Sequence, residues 1–221
     1  MVKVNEFEVQ ITSKNPVKEF QKNGGYYIAL KSGSEYQLIL TNNRSTICDV
    51  DLSIDGKAIG KWRIPEYSSI SLERPLSAQR KFTFFAEDSN EAQSAGVRRN
   101  INAGIITAIF TPKKTLSIPE PEISLNEAPQ KLAASRGLKS GITLLGDGSN
   151  QRFVPIEPIN PKDIDYNNIT TIIIRMVVES DYIQIPSLYP IPNRTTLYPP
   201  RIDEIPVEPP EDLHFNPILA R

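Results

Sequence analysis

Cys48-Asp49-Val50-Asp51-Leu52-Ser53-Ile54-Asp55-Gly56-Lys57-Ala58-Ile59-Gly60-Lys61-Trp62-Arg63-Ile64 decides the fold. Ahead of Asp55-Gly56, Cys48, Val50, Leu52 and Ile54 alternate with Asp49, Asp51 and Ser53. Behind it, Ala58, Gly60, Trp62 and Ile64 alternate with Lys57, Lys61 and Arg63. A period of two on both sides of an Asp-Gly pair is a β-hairpin with one apolar face. Parity then constrains the turn. A two-residue loop would set Val50 opposite Lys61 and Cys48 opposite Arg63, mixing the faces. An odd, three-residue loop sets apolar against apolar and the aspartates near Lys61 and Arg63. The expected form is a type I turn closed by a bulge, with Gly56 left-handed.

The pattern extends outward. Tyr26-Tyr27-Ile28-Ala29-Leu30-Lys31 follows the turn signal Asn23-Gly24-Gly25, and Glu35 to Thr41 follows Ser32-Gly33-Ser34. Ser68 to Glu73 alternates, and Lys81 to Ala86 is short and aromatic. Gly104 to Thr111 reads as a strand buried on both faces. Glu87 to Ala103 is polar and reads as a loop, with one helical turn near Glu87-Asp88-Ser89-Asn90-Glu91-Ala92. Residues 112–150, broken by Pro119, Pro121, Pro129, Gly137, Gly141, Gly146 and Gly148, read as an excursion. Gln151 to Ile156 and Ile169 to Val178 return to strand.

After Asp181 come Pro186, Pro190, Pro192, Pro199, Pro200, Pro206, Pro209, Pro210 and Pro217. That density excludes a helix or a central strand, so the segment reads as an extended arm. Its apolar residues, among them Tyr189, Leu197, Tyr198, Ile202 and Phe215, are the candidate partner contacts. The chain thus divides into 1–111, the first part of a β-sandwich; 112–150, an excursion; 151–181, closing strands; and 182–221, a proline-rich arm. The fold class is an all-β antiparallel sandwich. An eight-stranded single jelly roll fits the strand count.

Composition narrows function. With 25 Lys and Arg against 26 Asp and Glu, a near-neutral chain has no electrostatic footprint for nucleic acid. The longest apolar stretch, Ile169 to Val178, is about half of what spans a bilayer and contains Arg175. Met1 to Glu6 has no apolar core of a signal peptide, which places synthesis in the cytoplasm. The sequons at Asn43, Asn168 and Asn193 then read as chance triplets.

Candidate chemistry is sparse. Cys48 is the only cysteine and His214, in the arm, the only histidine, so a thiolate cage, a histidine-ligated metal or a catalytic triad has no ligand set. Asp49 and Asp51 share a strand face opposite Lys61 and Arg63 and read as a solvent-facing ion-paired surface rather than an acid–base pair. Gly146-Asp147-Gly148-Ser149 lacks the Lys-Ser or Lys-Thr ending of a phosphate loop and reads as a turn. Cys48 and Trp62 read as core. Tyr26, Tyr36, Tyr67 and Tyr189 are the tyrosines available for stacking a sugar or base. Glu120, Glu122, Glu127 and Asp147 are the carboxylates an enzyme would draw on. No catalytic centre, metal or cofactor is expected.

The runs Gly25 to Leu30, Tyr36 to Asn43, Cys48 to Gly56, Gly60 to Ile64, Ile70 to Pro75 and Lys81 to Phe84 resemble the sandwich domain of single jelly-roll penton proteins of large icosahedral double-stranded DNA viruses, such as the chlorella viruses. The resemblance covers about residues 24–111 and, more loosely, 151–179. It implies a structural virion protein, a homopentamer at the five-fold vertex touching neighbouring capsid proteins, and it supplies no catalytic residues. A carbohydrate-binding or adhesion module is the alternative.

Overall fold

A computed structural model of the chain describes residues 1–96, 101–115 and 138–180. Among them lie twelve strands, one short α-helix and two 3-10 turns (Pro161–Asp163 and Tyr166–Asn168), the strands and α-helix in the order β1 (Val2–Val4), β2 (Phe7–Ser13), β3 (Lys18–Lys22), β4 (Gly25–Leu30), β5 (Ser34–Asn42), β6 (Cys48–Ile54), β7 (Lys57–Ile64), β8 (Ser68–Leu72), β9 (Arg80–Ala86), α1 (Asn90–Ser94), β10 (Ile105–Pro112), β11 (Gly141–Gly148) and β12 (Thr170–Val178). They build an all-β sandwich. One sheet runs β1-β2-β5-β9-β11, with β8 also on β5; the other runs β3-β4-β12-β10-β6-β7. Every pair is antiparallel except β4 with β12. Twelve strands replace the expected eight. Val2–Val4, Phe7–Ser13 and Lys18–Lys22 are not among the expected strands, although Phe7, Val9 and Ile11 alternate with Glu8, Gln10 and Thr12 as a strand requires.

The apolar half of each alternation meets between the sheets. Phe7, Leu38, Leu40, Phe82 and Phe84 from one side pack with Ile28, Val50, Ile64, Phe110 and Ile174 from the other, all buried. The rings of Phe7 and Phe110 stack across the interface at 4.6 Å. Each such side chain fully buried contributes roughly 1.5–3 kcal/mol. Cys48, Leu52, Ile54 and Trp62 belong to this core, as the alternation requires.

The β6–β7 hairpin reaches the expected pairing by another route. Cys48 lies opposite Ile64, Asp49 opposite Arg63, Val50 opposite Trp62 and Asp51 opposite Lys61. The loop, however, has two residues: Ile54 pairs with Lys57, and Asp55 and Gly56 both have positive φ, at 54° and 77°. That is a type I′ turn, which Asp-Gly favours because its twist matches the strands. The parity is restored inside β7, where Gly60 faces Leu52 and Ala58 faces Ser53, leaving Ile59 as a bulge. Beyond the bulge Ala58 is exposed. The correction is one of place: the extra residue sits in the strand, not in the loop.

Four other expectations change. β10 is not buried on both faces, since Ile109 is 38% exposed. The 112–150 excursion ends in β11, which completes the first sheet against β9. Gly141 and Gly146 are strand residues there, because a side chain at either would run into Phe84 or Thr83 of β9. Gln151 to Ile156 is not a strand but an extended strap on the outside of the sandwich. The helical turn does form, beginning at Asn90, three residues after Glu87, with Ser89 capping by accepting from Ala92 N–H.

At the hairpin tip Asp55 joins the two sheets. Its carboxylate accepts from Gly104 N and from Thr143 N of β11, each at 2.7 Å, and its own N–H donates to Ile105 O at 2.9 Å. Burial pushes the carboxyl above the usual carboxylate value, against the opposing pull of those two donors and of Lys57.

Two predictions follow from the tip. Gly56→Val should cost about 1–2 kcal/mol through left-handed strain, and the new side chain would also press on the Asn102 amide; an unchanged melting temperature would reject the turn. Because the folded pKa of Asp55 is raised, its protonated form is the better-tolerated one. The associated stability is complete below the unfolded pKa of about 3.9 and is lost as pH rises through the folded value. The stability gap between the wild type and the non-titrating Asp55→Asn should therefore widen from neutral pH toward about pH 4; a flat or narrowing gap in urea unfolding would contradict the assignment.

Candidate functional site

One end of the sandwich gathers the β1–β2 turn, the β5–β6 loop, the β7–β8 loop and the segment 160–169. Asn42, fully buried, organises it: Nδ2 donates to Thr46 O (2.8 Å) and Pro65 O (3.0 Å), and Oδ1 accepts from Arg44 N (3.0 Å). Arg44 then bridges Glu6 at 3.2 Å and Asp165 at 3.4 Å. The sequon residues Asn43 and Asn168 donate their side-chain amides to Glu8 and Asp165. On this frame the backbone of Tyr67 is held by a bond from its N–H to Arg44 O at 3.1 Å, with φ at +48°. Positive φ on a tyrosine is strained backbone that its surroundings must enforce. Tyr67 is 71% exposed, and Tyr166 (61%) and Ile169 (39%), in the segment that carries Asp165, are exposed as well. The end therefore presents apolar and aromatic surface on a rigid polar base.

A second exposed apolar element is the strap, fixed at both ends by arginine. Arg74, buried, donates Nε and Nη2 to Gln151 O and Nη1 to Pro75 O and Ala78 O, and lies 4.3 Å over the ring of Phe153. Phe153 meets Trp62 edge-on at 5.7 Å. Further along, Arg63 donates to Glu157 O and, through Nε and Nη2, to both oxygens of Asp49, which also accepts from Ile159 N at 2.8 Å. Between these anchors Val154 and Ile156 stay 83% and 50% exposed.

The residues singled out in the sequence fall as follows. Asp49 is not on a solvent face: the strap buries it to 4% exposure, although it does pair with Arg63. Asp51 keeps the expected exposed pair with Lys61, at 3.0 Å. Neither supplies an acid–base couple, since Asp49 has both oxygens bonded. Cys48 is buried, and burial pushes its thiol up to about 12. Tyr36 is buried in the core, where desolvation raises its phenol and Thr143 Oγ1 lies 2.7 Å from its hydroxyl; it offers no face for stacking. Tyr26 is half-buried against the core. Of the four tyrosines only Tyr67 is described as exposed. Gly146 to Gly148 end β11 rather than form a turn, and Ser149 donates to Glu73 at 2.5 Å. Asp147 is exposed. Glu120, Glu122, Glu127, Tyr189, Leu197, Tyr198, Ile202, His214 and Phe215 lie outside the described residues. The sequence reading missed Asn42, Arg74 and the Tyr166–Ile169 corner. Arg74 beside Pro75 gives no periodic signal, and only the fold brings Tyr166 to Arg44.

A polar cleft of about 290 Å³ is lined by residues including Ser13, Lys14, Glu35, Gln37, Glu73 and Lys81; within it Lys81 pairs with Glu35 at 3.4 Å and the Gln37 amide donates to Glu73 at 3.3 Å. Among the described residues no group of three His, Cys, Asp or Glu side chains is placed to hold a metal, and no helix is long and apolar enough to cross a membrane. Comparison with known proteins finds no matching family model, no matching curated protein and no matching solved structure.

Asp49→Ala should cost roughly 2–3 kcal/mol, since it leaves the buried Ile159 N–H without its acceptor and removes the carboxylate that pairs with the part-buried Arg63. Asp51→Ala, two residues away with both partners half-exposed, should cost about 0.5 kcal/mol or less. Equal losses in urea unfolding would refute the buried clamp.

Proposed function

We propose that this chain is a structural subunit that self-associates about a five-fold axis, at the vertex of an icosahedral viral capsid, and contacts neighbouring capsid proteins there. The observation that carries the reading is how the described surface is divided. Polar groups able to do chemistry are bonded into the frame: Asp49 to Arg63 and the strap, Asp55 to two backbone N–H groups, Arg44 to Glu6 and Asp165. Five of the ten large apolar side chains left exposed among the described residues group on loops tied to that frame, Tyr67, Tyr166 and Ile169 at one end and Val154 and Ile156 on the strap. Rigid apolar loop surface is what a repeated protein–protein contact uses, because little entropy is lost on docking. The coarser part of the proposal, a sandwich used as an assembly unit, draws on this geometry. The five-fold capsid setting draws on the resemblance of residues 24–111 to penton sandwich domains.

Sedimentation velocity and native mass spectrometry of the full chain over a concentration series test it. A discrete five-copy species is expected, and Tyr67→Ala with Tyr166→Ala should shift it to monomer without lowering the melting temperature. A chain that stays monomeric throughout would overturn the proposal. So would a monomer retained selectively on immobilised glycans, which would mark a sugar-binding module instead.

A further inference from the structure

Burial along the strap repeats in threes. Phe153 packs against Trp62 and Arg74, and Ile159 is 7% exposed. Ile156, midway between them, is 50% exposed, whereas Val154 is 83% exposed. Arg152, Pro155, Glu157 and Pro158 are exposed as well. A period of three belongs to a polyproline II helix; that of a strand is two. The backbone agrees. Residues 149–160 join no strand ladder. Pro155 and Pro158 fix φ at about −65°. Val154, Glu157 and Asn160 each precede a proline, which holds them to extended or polyproline II geometry; Asn160 has φ −57° and ψ 133°. The face Phe153-Ile156-Ile159 therefore lies toward the sandwich. The other two point away from it, one with Arg152, Pro155 and Pro158, the next with Val154 and Glu157.

We infer that the strap is a recognition ridge for a proline-reading groove on another protein, a groove with two aromatic-walled slots and a carboxylate beyond the first. The ligand elements are Arg152, Val154-Pro155 and Pro158, in the spacing Arg-x-x-Pro-x-x-Pro. With three residues per turn and a rise of about 3.1 Å per residue, Arg152, Pro155 and Pro158 stand in line at steps of roughly 9 Å. A groove can meet two adjacent faces of such a helix but not the third, and here the third is the one that the sandwich uses. Charge names the rest of the partner. Arg44 and Arg63 are tied to carboxylates, but among the described residues none pairs with the exposed Arg152. A free guanidinium at the end of the ridge fits a carboxylate of the partner through two parallel N–H bonds. Glu157 stands where an apolar residue would fill the second slot better, so Val154-Pro155 and Arg152 dominate the contact. The ridge is also set in advance: Arg74 holds Gln151 O, Arg63 holds Glu157 O, and Asp49 accepts from Ile159 N. Docking then costs less chain entropy than it costs a free peptide. The inference goes beyond five-fold assembly and does not depend on it, because a single copy carries the whole ridge.

The test titrates the full chain into an isolated SH3 domain that accepts Arg-x-x-Pro-x-x-Pro peptides, with the fluorescence of the domain's groove as the readout. A saturable one-to-one complex is expected. Pro155→Ala should weaken it about tenfold. Arg152→Ala should weaken it several-fold and leave the melting temperature unchanged, because that side chain holds nothing in the fold. Against an SH3 domain whose groove carboxylates are replaced by alanine, the wild type and Arg152→Ala should bind equally, which pairs Arg152 with those carboxylates. No binding to the unmodified domain would overturn the inference. So would binding that survives both Pro155→Ala and Arg152→Ala; it would assign the contact to Pro206-Val207-Glu208-Pro209, which repeats the proline spacing with Asp203 in the place of the arginine.

Discussion

The sandwich depends on one half-buried aspartate. Asp55 sits at the tip of the hairpin that belongs to the second sheet, yet it binds Thr143 N of the first sheet and Gly104 N at the entrance to β10. Its N–H reaches Ile105 O, and Gly104 O accepts from Met176 N of β12. One residue thereby ties the β6–β7 tip to β10 and β11, and the main chain of Gly104 extends the tie to β12. The geometry needs the two-residue turn: Asp55 and Gly56 both at positive φ aim the carboxylate at those donors. The turn in turn needs the Ile59 bulge, since without it the faces of β7 would be inverted. Register, turn and inter-sheet bond are one constraint seen at three scales.

The opposite closure uses arginine. Across the gap between β7 and β8 the strap from Ser149 to Ile159 is held by Arg74 on main-chain carbonyls and by the Arg63–Asp49 pair. Arg74 is buried without a carboxylate; its charge is met by carbonyl dipoles and the face of Phe153. The strap therefore costs no strand pairing. It covers a seam of the sandwich while leaving Val154 and Ile156 outward.

What the sequence discloses and what it conceals divide along physical lines. The alternation through Cys48 to Ile64 states which residues face the core, because a strand's period is fixed by its backbone. It does not state where the compensating residue goes, since loop and strand bulges solve the same parity problem. Asp49 reads as surface because its neighbours on that face are charged; only the strap, about a hundred residues later in the chain, buries it. Gly141 and Gly146 read as breakers because the demand for glycine comes from Phe84 and Thr83 of another strand. The candidate surface is the least legible part, for Tyr67 and Tyr166 meet only through Arg44.

The free edges of the two sheets narrow how such a molecule associates. In the first sheet β1 has three residues, β11 is irregular between Leu145 and Gly148, and the outer side of β8 is engaged by the strap, Gln151 bonding Ser71 O and Glu73 N. In the second, β3 carries Lys18, Glu19 and Lys22, while β7 is bulged, bears Lys57 and Lys61, and gives Ile59 O to Leu76 N. Short length, irregularity, charge and cover are the devices that stop edge-to-edge strand pairing. With every edge blunted, growth by strand addition is disfavoured, and the open-ended chains that it produces are disfavoured with it. The contacts left to a second copy are the loop end, the strap and the outer faces. Those are local patches, and repetition of one such contact closes into a ring where the rotation divides a full turn without translation and gives an open helix where it does not.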